Sequence, residues 1–316
     1  MNGFPFRADR KLTDVLRERD FTYSAEVIPP RNGVEQMKVL TQIQTLVRAG
    51  AEFIAVTKGA GGSLRGGSLP IAQVVKEQFQ RPCIAHFTCR DLTALDVENQ
   101  LMDHHYFGIR NILALRGDPP DGQPEYQTRE GGYRYAYELI QQIRGLNEGA
   151  YLNRAGGPEI GDREKTDFCI GAAAYPEHPD PAQRLDYFKL KVDAGAQYGI
   201  TDMLFDAEVY ARYLELLAKG GVSIPILPGS RVLKSRGQAE RMMKKFRVRV
   251  PASVLARLPE EDLGEESMKR GVELFTELVD SLKRMGAPGI HLFVIADTGS
   301  ACAALDKLGA AHLQGA

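Results

Sequence analysis

The sequence contains no apolar run approaching the roughly 20 residues that a membrane span needs, and residues 1–10 lack the apolar stretch of a secretory signal. A membrane protein is therefore not expected, and a cytoplasmic location is. Neither sign of charge is in excess, since 40 Lys+Arg face 41 Asp+Glu for a net charge of -1. With no basic block and no interleaving of basic and aromatic residues, a nucleic acid has no electrostatic footprint to bind. Cysteine is scarce, and Cys83, Cys89, Cys169 and Cys302 show no C-x-x-C spacing. Cys83 and Cys89 lie too far apart on one expected strand to bond each other, so structural thiols are expected. The six histidines include no H-E-x-x-H, and the adjacent His104 and His105 point to different faces of a helix. No metal site is expected.

The 316 residues, 43% of them hydrophobic, suffice for one large α/β barrel or two ordinary domains. From about residue 22, β-like runs alternate with amphipathic helical stretches. Candidate strands are 22–28, 53–58, 83–89, 111–116, 169–175, 198–205, 223–227 and 289–295. Between the first two, Val34, Met37, Leu40, Ile43 and Val47 recur at helical spacing. Alternation implies a parallel sheet, and eight units imply closure into a single-domain (β/α)8 TIM barrel, with a doubly wound open sheet as the alternative. Residues 1–20 read as an N-terminal extension with a helix, 145–167 as a polar surface insertion before strand five, and 246–286 as an extra charged segment and long helix before strand eight. Pro119-Pro120-Asp121-Gly122 reads as a turn, and 309–316 as a frayed tail.

Chemistry in parallel α/β folds sits where strands hand over to loops. His86 ends one strand, and Arg116-Gly117-Asp118 ends the next, a mixed-charge pair of edges suited to a polar, ring-containing cofactor. Glu26 is a carboxylate inside an otherwise apolar strand. Burial would raise its pKa and suit it to general-acid work, or it is a core glutamate paired with a Lys or Arg. The glycine-rich stretch 59–67 could wrap an anion, yet it fits neither G-x-G-x-x-G in context nor G-x-x-x-x-G-K-[ST], and a flexible rim loop is the better reading of it. Asp118 could be a cap or turn residue, and His178 and Lys191 could be solvated surface.

Taken together, Ala25-Glu26-Val27-Ile28-Pro29-Pro30, His86-Phe87-Thr88-Cys89, Ala114-Leu115-Arg116-Gly117-Asp118-Pro119-Pro120, Ala173-Ala174-Tyr175-Pro176-Glu177-His178-Pro179, Lys191-Val192-Asp193-Ala194-Gly195-Ala196 and Ile226-Leu227-Pro228-Gly229 resemble the methylenetetrahydrofolate reductase family, in its order across nearly the whole chain. The resemblance implies an FAD-bearing (β/α)8 barrel. It implies that NADH or NADPH reduces the flavin, which in turn reduces methylenetetrahydrofolate to methyltetrahydrofolate. On this reading Glu26 is the general acid and Asp118 tunes flavin and pterin. Thr57, Lys58, His86, Arg116, Gly117, Asp118, Tyr175, His178 and Lys191 would line the cofactor.

The substrate side departs from the family. Asp202 stands where a Gln would clasp the pterin, Arg236 where an aromatic ring would stack, and Asp297 where a basic or neutral group follows the last strand. Lys58 replaces a Tyr, and the segment 179–188 is shortened where an Asp would serve the adenosine half. These departures leave open a flavoenzyme on the same barrel with another one-carbon carrier or electron donor, and a flavin-binding subunit that contacts a partner protein. Oligomeric state stays open as well.

Overall fold

The computed structural model describes residues 4–30, 34–63, 66–119, 125–153, 163–246 and 248–311. Eight parallel strands close on themselves in chain order: β1 Thr22–Val27, β2 Phe53–Val56, β3 Cys83–Thr88, β4 Asn111–Leu115, β5 Cys169–Ala174, β6 Tyr198–Met203, β7 Ile226–Ser230 and β8 Gly289–Phe293. Around them run α1 Leu12–Glu18, α2 Gln36–Arg48, α3 Ser68–Glu77, α4 Ala94–Tyr106, α5 Ala136–Glu148, α6 Pro181–Ala194 and α7 Ala207–Lys219. The circle is completed by α8 Arg236–Phe246, α9 Ala252–Leu255, α10 Glu265–Arg284 and α11 Thr298–Lys307. This is the expected (β/α)8 barrel, and α9 and α10 are the extra helical segment before the last strand. No described helix is long and apolar enough to cross a membrane. Parts of the expected insertion (154–162), of the glycine-rich loop (64–65), of the turn after β4 (120–124) and of the tail (312–316) lie outside the described residues.

Strand geometry decides which side chains look inward, because successive residues point to opposite faces. Tyr23, Ala25 and Val27 pack outward among the helices, which turns Ser24 and Glu26 into the barrel. Phe53, Ala55, Ile84, Leu113, Tyr198 and Leu227 fill the interior. Tyr198 fits because Gly171 stands beside it: a Cβ there would meet the Tyr198 ring at 2.2 Å. Above Ile84, two residues along, comes His86; between the outward Ile290 and Leu292 comes His291.

Two expectations shift. The buried face of α2 is Val39, Ile43 and Leu46, whereas Val34 (60% exposed) precedes the helix and Met37 (71% exposed) lies in its first turn, beyond the reach of the core. β7 runs later than 223–227, through Pro228 and Gly229. Proline has no N–H to give a ladder, and Pro228 falls where pairing with β6 slips from Ile200↔Leu227 to Met203↔Gly229. Gly229 fits the gap, since a Cβ would meet Phe293 at 2.4 Å and the Thr201 carbonyl at 2.6 Å.

The N-terminal segment closes the floor of the barrel. Leu12 N–H donates to Asn111 Oδ1 at 2.6 Å, Asn111 Nδ2 donates to the Arg10 carbonyl at 2.9 Å, and Cys83 N–H donates to Asp9 Oδ2 at 2.7 Å. Burial drives the Asp9 carboxyl up to about 7, against the pull of the Cys83 and Arg10 backbone N–H groups and of Lys76. A carboxyl whose folded pKa exceeds its unfolded one weakens the fold as pH climbs from the unfolded value through about 7, and the loss levels off above that. Asp9→Asn keeps an acceptor for Cys83 and removes the charge. Its thermal midpoint should gain on the wild type as pH rises from 5 to 8; a difference independent of pH would show that Asp9 is not held in this state.

Candidate active site

A cavity of about 450 Å³ opens at the C-terminal ends of β1 to β5, bounded on its far side by α5 and α6. It gathers Glu26, Thr57, Lys58, His86, Arg116, Gly117, Asp118, Tyr175, His178 and Lys191. These side chains come from six segments distant in sequence and meet because parallel strands end on one rim.

Glu26 is the more buried of the two carboxylates that line the cavity, with 13% of its side chain exposed, whereas Asp118 is exposed. Its Oε2 lies 3.6 Å from His86 Nε2 and 3.7 Å from His291 Nε2. The Ser24 hydroxyl contacts the Ile290 carbonyl at 3.2 Å and His291 Nδ1 at 2.8 Å. These contacts orient the imidazole so that Nε2 faces Glu26. His86 is held down near 4 by burial, with the Glu26 charge opposing and His291 adding to the shift, so it is neutral at physiological pH. His291 is absent from the residues singled out in the sequence. The signal that could have found it is parity: a histidine on the inward register of the last strand, beside the first.

Asp118 braces two loops. Its Oδ2 accepts from Gly61 N–H at 2.8 Å, and its carbonyl accepts from Arg90 at 2.6 Å while the same guanidinium reaches the Ser63 carbonyl at 3.0 Å. The glycine-rich loop is thus docked onto the end of β4. Gly117 must be glycine, with φ +97° and a would-be Cβ 2.9 Å from Arg90 Cβ. Lys58 Nζ donates to Gln100 at 2.7 Å and lies 4.1 Å over the Phe87 ring.

Whether the cavity fits a flavin can be judged from its unmet polar atoms. Thr57 Oγ1, His86 Nε2 and Thr88 Oγ1 are buried along its wall without a hydrogen-bond partner, as expected of a site completed by a polar heterocycle. Lys191 is buried, donates to the Ala173 carbonyl at 2.7 Å, and is lowered to about 8 by burial and then by the Arg116 charge. His178 Nδ1 accepts from Asp180 N–H at 3.2 Å. The donors and cations suit a ring system bearing phosphates.

The three residues expected on the substrate side do not line this cavity. Asp202, on β6, lies within electrostatic reach of Tyr175 and Glu177; burial first, then the Glu177 charge, raises it to about 7. Arg236 opens α8 and donates to the Leu255 carbonyl at 2.9 Å and to Glu260 at 3.1 Å. Asp297 caps α11, accepting from Ser300 N–H at 3.2 Å, and lies 3.3 Å from Lys234 Nζ.

Comparison with known proteins places this geometry in context. The family model for methylenetetrahydrofolate reductase matches residues 11–309. Methylenetetrahydrofolate reductase 1 of Schizosaccharomyces pombe is 30% identical over 295 residues, covering 90% of this chain and 46% of that protein. The 5,10-methylenetetrahydrofolate reductase of Escherichia coli is 29% identical over 279 residues, covering 86% of this chain and 85% of its own. The chain spans about half the length of the fungal and plant relatives it matches. A Clostridium thermocellum protein described as binding two copies of 5-methyl-5,6,7,8-tetrahydrofolic acid shares the fold, with a TM-score of 0.59, 14% identity, and 94% and 98% of the two chains covered. With a barrel closed in the expected order and a match over 11–309, the chain belongs to the methylenetetrahydrofolate reductase family.

Proposed function

We propose that this protein reduces 5,10-methylenetetrahydrofolate to 5-methyltetrahydrofolate through bound FAD, with NADH or NADPH as electron donor. The observation that carries the reading is Glu26, enclosed between His86 and His291 at the floor of a cavity whose walls offer unmet donors and cations. When bound, the flavin supplies hydride exchange between a reduced nicotinamide and the folate's methylene carbon. Thr57, Thr88 and His86 present polar atoms to the ring system, and Arg116 and Lys191 neutralise its phosphates. Glu26 gives its proton to the amine that leaves as the folate's five-membered ring opens. His291, oriented by its contact with Ser24, faces the carboxyl and helps to position it. Asp118, pinned by Gly61, keeps a negative charge at the cavity mouth.

A second reading, the same chemistry on another one-carbon carrier, draws on the substrate side, where a Gln is replaced by Asp202. A carboxylate only accepts, but a carboxyl raised to about 7 is partly protonated near neutrality and then also donates. Asp202 can therefore stand in for an amide below pH 7 and loses that ability above it. The folate KM should rise between pH 6 and 8, and Asp202→Gln should flatten that dependence; a KM equally pH-dependent in the variant would remove Asp202 from substrate recognition.

The decisive experiment is an absorbance spectrum of the purified protein, followed by anaerobic reduction with NADH and with NADPH and reoxidation by methylenetetrahydrofolate. Flavin reduced by dithionite but never reoxidised by that folate would favour the other carrier. Glu26→Gln leaves the cavity volume almost unaltered and removes the acid. Reduction of the flavin should survive, while folate reduction should fall by a factor on the order of 10² or more. Equal loss in both half-reactions would make Glu26 a structural residue.

A further inference from the structure

A second cavity, of about 520 Å³, lies between α10, α9 and the start of α7. Its size falls within the range of small-molecule sites, roughly 300–1,000 Å³. It shares no lining residue with the cavity at the ends of β1 to β5. Gly271, Leu274, Phe275 and Leu278 face it from α10 at helical spacing, joined by Val254 of α9 and by Phe205, which follows β6. Leu274, Leu278 and Val254 are only half-buried, because their helices meet open space there instead of a neighbouring element.

Arg231, directly after β7, is the buried cation of this wall, 8% exposed. A guanidinium has five N–H donors and does not shed its charge. Among the described residues no carboxylate lies within ion-pair distance of it. Its one hydrogen bond there is to the Met242 thioether at 3.6 Å, and its buried Nε has no partner. The charge of Asp297 reaches it only from farther off, and that carboxylate is held by Ser300 at 2.8 Å and Lys234 at 3.3 Å. The other charges of the wall are spent elsewhere. Arg257 donates twice to Glu277, at 2.6 and 2.7 Å, and Arg284 donates to Ser281 at 2.9 Å. Asp206 caps α7, and Glu208 is exposed.

A buried cation without a counter-charge is costly, and water can meet its N–H groups without neutralising it. An apolar helix stripe left facing the same space is unfavourable too. One kind of molecule relieves both, an anion with an apolar body. A single guanidinium set among leucine and phenylalanine matches one carboxylate rather than a polyphosphate. We propose that this cavity binds a small monocarboxylate with an aromatic or branched apolar body, its carboxylate on Arg231 and its body against Leu274, Phe275 and Leu278. The ligand lies against Phe205 and Leu233, in the segments that leave β6 and β7, and outside the cavity given to the flavin. The site stands independently of the flavin reading.

The test is calorimetric titration of the full chain, as purified, with 3-phenylpropanoate, with its neutral counterpart 3-phenylpropan-1-ol, and with acetate. Wild type should bind the aromatic acid at least tenfold more tightly than the alcohol or acetate, as expected for a charged hydrogen bond added to apolar contact. Arg231→Met should weaken the acid by tenfold or more and change the alcohol less than threefold. Without added acid the same variant should melt higher than wild type, because an unpaired buried charge is gone, and the acid should raise the midpoint of wild type alone. Were Arg231 a structural partner of Asp297, the variant would melt lower or fail to fold, and either result overturns the assignment. Leu278→Trp fills the cavity from α10, leaves Arg231 in place, and should weaken acid and alcohol alike. Equal binding of acid and alcohol by wild type, no binding at millimolar concentration, or displacement of the acid by FAD or methyltetrahydrofolate each overturns the site.

Discussion

The seam between β1 and β8 is the constraint on which the site depends. In its register Ser24 lies opposite His291 and Glu26 opposite Phe293, although the first pair is 267 residues apart in the chain. Closing the barrel is what brings the Ser24 hydroxyl to the imidazole and the imidazole to the carboxyl. An open sheet of the same strands would leave β1 and β8 on separate edges, with Glu26 free to be solvated. Closure also withdraws bulk water from the acid, so its surroundings are set by two histidines rather than by solvent.

This explains what a reader of the sequence can and cannot see. Strand and helix alternation is a local signal, carried by periods of two and 3.6, and all eight strands are legible from it. Their inward and outward faces follow from parity. His291 is not legible as a partner of Glu26, because nothing local marks it; its role arises from a contact between the two ends of the barrel. β7 is misplaced by a few residues for a related reason: proline and glycine ordinarily end a strand, but here Pro228 sits at a slip in pairing and Gly229 fills a gap that a side chain could not enter.

The substrate-side residues teach a different lesson. Arg236 and Asp297 depart from the family pattern, yet their surroundings carry helix-start signals of their own. Ser235-Arg236-Gly237-Gln238 has the spacing of a capping box: Gln238 N–H reaches Ser235 Oγ at 3.2 Å, and Lys234 N–H reaches the Gln238 side chain at 2.7 Å. Asp297-Thr298-Gly299-Ser300 begins α11 in a similar way, through the Asp297 carboxylate. Both stretches carry a local signal in the sequence, that of a helix start.

The two halves of the rim are consequently built under different rules. On the β1 to β5 side, polar atoms are left unmet around a cavity. On the other side Met203, Phe205, Leu233, Met242 and Val248 form an apolar cluster under α8 and the segment leading to α9. Replacing a residue at a helix start changes a cap and little else, provided the helix still begins there. Replacing one on an inward strand position changes the cavity itself. Divergence tolerated at Arg236 and Asp297 thus says little about the substrate. Of the three departures, Asp202 lies on a strand and within electrostatic reach of the cavity residue Tyr175, so it is at this carboxyl that a change of substrate would have to be written.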